Sequence, residues 1–135
     1  MGTDWFVKVK CPKPSRVKDE QQHIEVCSSC PYVIWKKPKP VAGFMASMCG
    51  VRVGSIWMAA ELDDIGEKLT GRVRFTKTDG KPEEKLLILE KIREHINNGW
   101  RLEGFTKEDM LEWIDELIEF CRRCQKKGLE IRSWA

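Results

Sequence analysis

The residue pattern predicts an α+β fold: short antiparallel strands, a degenerate zinc-ribbon-like N-terminal segment, and about three helices packed on a small sheet. Three observations lead there. "WFVKVK" and "HIEVC" alternate apolar and polar residues with the two-residue period of half-buried strands. Later segments repeat their apolar residues every three or four positions, the spacing of an amphipathic helix. Cys11, Cys27 and Cys30 stand at intervals that fit a two-knuckle metal ribbon lacking one ligand.

The first segment, residues 1–40, reads as basic and β-rich, with "YVIW" as its last apolar strand. "KKPKP" at 36–40 ends it, because Pro38 and Pro40 forbid a helix and remove ladder donors. Residues 41–135 read as a compact α+β domain, able to pack as one unit with the first segment. A helix is expected over 55–69, where Ile56, Ala59, Ala60, Leu62 and Ile65 share a face. "GRVRFTKTDG" then alternates like a strand, with Val73 and Phe75 on one side and an Asp-Gly turn at its end. Pro82 opens the next helix, which runs to Asn98 and stops at Gly99. Thr106 caps the last helix, whose buried stripe is Met110, Trp113, Ile114, Leu117, Ile118 and Cys121. Arg122, Arg123, Lys126 and Lys127 close that helix at the end where positive charge suits its dipole. "LEIRSW" is the final strand.

Composition narrows the function classes. The 135 residues are 33% charged and contain no run of eighteen apolar residues, so no membrane span is expected. "MGTDWFVKVK" lacks the apolar core of a secretion signal, and cytoplasmic residence is the expectation. Residues 1–52 carry nine Lys and Arg against four Asp and Glu, whereas the remainder carries fifteen against seventeen. A basic N-terminal third suits an acidic partner or nucleic acid, and equally an ordinary solvated face. Phosphate loops, nucleophile elbows and metalloprotease helices are all missing from the sequence, and neither His23 nor His95 has a partner at a diagnostic spacing. Glu61, Asp63 and Asp64 read as a solvated helix flank. The reading is therefore non-enzymatic.

The six cysteines raise the question of metal. A zinc site needs four ligands in a tetrahedron, and Pro14 stands where a second knuckle cysteine would fall. His23 cannot supply the fourth ligand from a continuous strand, since it would lie about 13 Å from Cys27 at roughly 3.3 Å per residue. Cys49, beyond the proline stretch, can be returned by the chain; in "FMASMC" it equally packs as a hydrophobe. The expected zinc set is Cys11, Cys27, Cys30 and Cys49, with Cys27, Cys30, Cys121 and Cys124 as the alternative. Cys121 also continues a helical core stripe, which makes it a packing residue on the plainer reading. Redox chemistry is the third alternative, although neither Cys-x-x-Cys sits at the helix N-terminus that lowers a thiol pKa. Lys and Glu are abundant while Asn and Gln are scarce, a thermophile-like trait that also admits intracellular disulfides.

"GVRVGSIWMAAEL", "NNGW", a helix ending in "IEFCRRC" and the closing "LEIRSW" resemble a family of small uncharacterised phage and prophage proteins, over about residues 50–134. That family has an N-[IY]-T-x-N segment before a helix and an N-G-W-G turn later. Here "GVRVG" lacks the asparagines and the threonine, and Arg101 replaces the second turn glycine. The resemblance implies a compact α+β domain and carries no catalytic residue across.

These readings combine into a small non-enzymatic binding protein, of phage or mobile-element origin, with a structural metal site. Its partner is another protein or a second copy of itself. The alternative is a nucleic-acid-binding ribbon protein, and the third is a thiol redox protein. Trp35, Lys36, Lys37 and Lys39, with Lys8 and Lys10, are the candidate contact residues: an indole beside ammonium groups can stack a base or grip a partner. If sulfur ligation shapes the first segment, purified protein carries about one zinc per chain and melts lower in EDTA. Negligible zinc and iron with unchanged melting would remove that reading.

Overall fold

The structure is a computed structural model that describes residues 3–7, 39–41, 44–46, 53–56 and 59–134. Strand β1 spans Thr3–Val7, β2 Lys39–Val41, β3 Phe44–Ala46, β4 Val53–Ile56 and β5 Ile131–Trp134. Helix α1 spans Ala59–Thr70, α2 Pro82–Asn97 and α3 Lys107–Lys126, and a 3-10 turn occupies Phe75–Lys77 between α1 and α2. β1 pairs antiparallel with β4, Thr3 facing Ile56, and with β5, Val7 facing Ile131. β2 and β3 form a separate short ladder.

The expected fold class is corrected. The described chain is mostly helical, with helices of 12, 16 and 20 residues against strands of three to five. Helices laid on a sheet are not what holds it. The largest interface joins α2 to α3, where Leu89, Ile92, Ile96, Met110, Ile114 and Leu117 are fully buried. Apolar stripes of that length cover one another directly, helix against helix, which is the least demanding way to bury them. The ribbon-like part of the expected class, together with Cys11, Cys27 and Cys30, lies outside the described residues.

Local expectations fare unevenly. Thr106 caps α3, its hydroxyl accepting from the Asp109 amide at 3.2 Å. Pro82 opens α2, which ends at Asn97 with Gly99 beyond it at φ 114°. The predicted stripe of α3 is buried except for Trp113, which is half-buried and meets Phe105 edge-on at 5.1 Å. α1 starts four residues later than expected, because Ser55 and Ile56 belong to β4 and pair with β1. "GRVRFTKTDG" is no alternating strand. Gly71 ends α1 in a left-handed conformation, residues 71–74 form an exposed loop, and Phe75 begins the 3-10 turn. Val73 and Phe75 therefore face opposite fates, the first 57% exposed and the second buried.

Gly66 shows how closely α1 approaches this turn. A Cβ there would sit 2.9 Å from the Phe75 ring and 3.1 Å from Ile88 Cγ2. Gly-to-Ala inside a helix ordinarily gains about 1 kcal/mol of helical propensity, but overpacking a filled core costs roughly 1–3 kcal/mol. We expect Gly66→Ala to lower stability by about 1 kcal/mol in urea unfolding, since both the buried Phe75 ring and Ile88 would have to shift to admit the methyl group.

Candidate functional site

The 3-10 turn Phe75–Lys77 is held from three directions. From β1, the buried Trp5 indole N–H donates to the Thr76 carbonyl at 2.8 Å. From α1, Asp63 Oδ1 accepts from both the amide and the hydroxyl of Thr76, at 2.9 and 2.8 Å. From α2, the Lys85 ammonium donates to the carbonyls of Phe75 and Thr78 at 2.7 and 2.6 Å. Lys85 also lies 5.0 Å from the centre of the Trp5 ring, which itself packs on Phe120. Lys77 Nζ stands 3.4 Å from the second oxygen of Asp63 as an ion pair without a directed hydrogen bond.

Lys85 is 3% exposed. Burial lowers its pKa from an ordinary 10.5 to about 8, against the opposing pull of Cys121, Asp79, Asp63 and Glu84. Its two carbonyl bonds and the Trp5 face satisfy the ammonium's three donors, so this lysine acts as a buried staple between α2 and the turn.

Asp79 extends the same hub to β5. Its Oδ1 accepts from the Ser133 amide at 2.9 Å and its Oδ2 from Arg132 at 3.1 Å. The Ser133 bond, aided by Arg132, holds its carboxyl below the usual carboxylate range. Gly80 exchanges both backbone hydrogen bonds with Ile131. Asp79 and Gly80 thus cover the outer edge of β5, which would otherwise offer unpaired donors to another strand.

A cleft of about 320 Å³ opens where the α1–α2 loop meets α2. Phe75, Ile88 and Val73 supply its apolar surface, and Arg72, Asp79, Glu84 and Lys85 its charged groups. Arg74, next to Val73, is held left-handed at φ 53° and ψ 49°, which costs about 1 kcal/mol or more for a side chain with a Cβ. Arg72, Arg74 and Lys81 have no carboxylate partner among the described residues, and Arg101 bonds only to backbone carbonyls, whereas Arg93, Arg122, Arg123 and Arg132 each meet a carboxylate. Val73 and Leu87 are the large apolar side chains left exposed among the described residues, at 57% and 58%. Leu87 stands one helical turn beyond Glu84 on α2. A second, wider groove between α2 and α3 is lined by the pairs Arg93–Asp115 and Arg122–Glu90, with Glu94 beside them.

Of the residues expected from sequence to form a site, Cys11, Cys27, Cys30, Cys49, Trp35, Lys36, Lys37, Lys8 and Lys10 lie outside the described residues. Lys39 belongs to β2, opposite Ala46. Cys121 and Cys124 are fully buried free thiols on α3. Burial pushes Cys121 well above the ordinary thiol value and Cys124 up to about 12. Among the described residues no group of three or more His, Cys, Asp and Glu is placed to hold a metal. Asp63 corrects an expectation: it is buried and structural rather than part of a solvated flank. Lys85 and the α1–α2 loop were not anticipated. The one signal for the loop was the density of cations in "GRVRFTKTDGK".

No protein-family model matches this chain, and no curated protein or solved structure is similar to it.

The buried groups set the alkaline stability profile. Between pH 8 and 10.5 the unfolded chain holds a proton on Lys85 that the folded chain has released, so this group adds stability as pH rises. The two thiols act oppositely, because above pH 9 the folded chain keeps protons that the unfolded chain loses. Urea unfolding from pH 7 to 10 should therefore show Cys124→Ala losing less stability than the parent above pH 9, the difference growing by about 1 kcal/mol between pH 9 and 10.

Proposed function

We propose that this chain is a non-enzymatic binding protein that presents the α1–α2 loop and its cleft to a partner protein. The observation that carries the reading is the pair of unpaired cations Arg72 and Arg74 flanking exposed Val73, displayed before a turn anchored by Trp5, Asp63 and Lys85. Loops held on a rigid base are where recognition residues concentrate. Apolar surface left in water beside unspent charge marks a contact region. The buried ionisable groups support the non-enzymatic part: Lys85 is saturated by backbone carbonyls, and the thiols of α3 are shifted away from the thiolate that redox chemistry needs.

Nucleic-acid binding through the basic N-terminal third is the second reading, favoured by its nine Lys and Arg against four acids. A membrane-spanning role has no support from the helices: among the described residues none is long and apolar enough to cross a bilayer.

A photo-reactive amino acid at position 73 tests the proposal in an extract of the source cells. One discrete protein adduct is expected, removed by excess unlabelled protein and not by the Arg72→Glu/Arg74→Glu double variant. Adducts indistinguishable from those of a probe at exposed Glu103, or adducts with nucleic acid alone, would overturn it.

A further inference from the structure

"NNGW" places the chain's two asparagines, Asn97 and Asn98, at the end of α2, the second directly before a glycine. Asparagine is chemically labile, most so before glycine, where no Cβ shields the next amide nitrogen. That nitrogen can attack the carbonyl carbon of the asparagine side chain and close an imide ring. Asn98 and Gly99 are both exposed, so water reaches them.

The folded end of α2 holds this pair in a conformation that does not react. Asn98 has φ −87° and ψ 5°, which turns the Gly99 nitrogen toward Asn98's own backbone nitrogen and away from its Cβ. The carbonyl carbon carried by that Cβ is therefore out of the nitrogen's reach. The Gly99 N–H is also engaged: it donates to the Ile96 carbonyl at 3.1 Å, while the Trp100 N–H donates to the His95 carbonyl at 3.1 Å. With Gly99 at φ 114°, these two bonds make the Schellman closure of a helix. The Trp100 ring stacks on His95 at 5.9 Å and reinforces it. Arg101 donates to the carbonyls of Ile96 and Trp100, each at 2.6 Å, and so ties together the chain on both sides of the labile bond. Ring closure requires rotation about ψ of Asn98. Both bonded amides lie beyond that rotation, so the two closing bonds break together.

We infer that Asn98 is a latent deamidation site, kept unreactive by the closed end of α2 and released when that end opens. In the open form the Gly99 nitrogen gives its proton to solvent and bonds to Asn98 Cγ. The Cγ–Nδ2 bond breaks, and the nitrogen leaves with a proton from water as ammonia. A water molecule then opens the imide at either carbonyl, giving aspartate or isoaspartate, so the net change consumes water and releases ammonia. Arg101 is the latch, because its guanidinium must let go before the Ile96 and Trp100 carbonyls can separate. The change also prevents its own reversal. Isoaspartate adds a methylene to the backbone, which carries the Gly99 and Trp100 amides off their carbonyls. The new carboxylate stands at a helix C-terminus, where the dipole opposes it. The connection between α2 and α3, whose contact is the largest helix interface, is thereby left open.

The test incubates the full chain in neutral buffer, folded and in urea, and follows the segment containing Asn97 and Asn98 by mass spectrometry and an isoaspartate assay. Asn98 should convert at least about tenfold more slowly in the folded chain than in urea, as local opening must come first. Arg101→Ala, at an exposed position, should speed conversion in the folded chain about threefold. Gly66→Ala, which weakens the fold through contacts outside this turn, should leave the rate unchanged. Equal rates in the folded chain and in urea would overturn the inference, and that comparison needs no variant. So would an Arg101→Ala rate matching the parent, equal acceleration by both variants, or conversion of Asn97 ahead of Asn98.

Discussion

Thr76 is bonded on all its polar groups by residues from other parts of the chain. Its carbonyl takes the Trp5 indole, and its amide and hydroxyl both go to Asp63. With Lys85 on the flanking carbonyls, β1, α1 and α2 converge on one turn of three residues. Each of these bonds is worth about 1 kcal/mol net when made, and roughly 1–3 kcal/mol when a buried partner is stripped away. The constraint is therefore cooperative: removing Asp63 would orphan two donors, and removing Lys85 would strip the Thr78 carbonyl of its ammonium donor and leave the Phe75 carbonyl to the Thr78 hydroxyl alone. Such networks define one arrangement more sharply than apolar packing does.

That arrangement explains how an exposed loop can hold a defined shape. Residues 71–74 contribute nothing to the core, yet Phe75 directly after them is buried and Gly71 before them ends α1 through its amide bond to Glu67. The loop is pinned at both ends over four residues. A strained Arg74 is tolerated because the turn that follows it is over-determined. The same hub protects β5, since Asp79 and Gly80 occupy the edge that could otherwise recruit a foreign strand.

Lys85 illustrates how a buried charge is accommodated without becoming reactive. Taking an ammonium out of water is expensive unless its donors are satisfied. Two carbonyls and an indole face meet that requirement, while burial still lowers its affinity for a proton. Cys121, on α3 nearby, is shifted in the same direction of neutrality. Burial thus disfavours the charged forms of Lys85 and Cys121, whereas Arg72 and Arg74 keep their charge at the surface. It is on that surface, around the cleft, that the unpaired guanidiniums stand.

The helices α2 and α3, the Thr106 cap and the core role of Cys121 were legible in the residues, because periodicity and capping are local and act over one or two turns. Alternation was an uneven guide: it pointed to β1 and β5 but misread the segment after α1. "GRVRF" has a strand's pattern, but Val73 is left in water and Phe75 is claimed by α1 and α2, and no local rule separates the two. Asp63 looked like a solvated charge for the same reason, and nothing local marked Lys85. Their partners Thr76, Phe75 and Thr78 are seven to thirteen positions away, and Trp5 reaches Thr76 across 71 positions. One-dimensional order recorded which residues are polar or apolar and how often they recur. Which polar groups would be buried and paired depended on chain segments meeting in space, where removal from water forces every donor to find an acceptor.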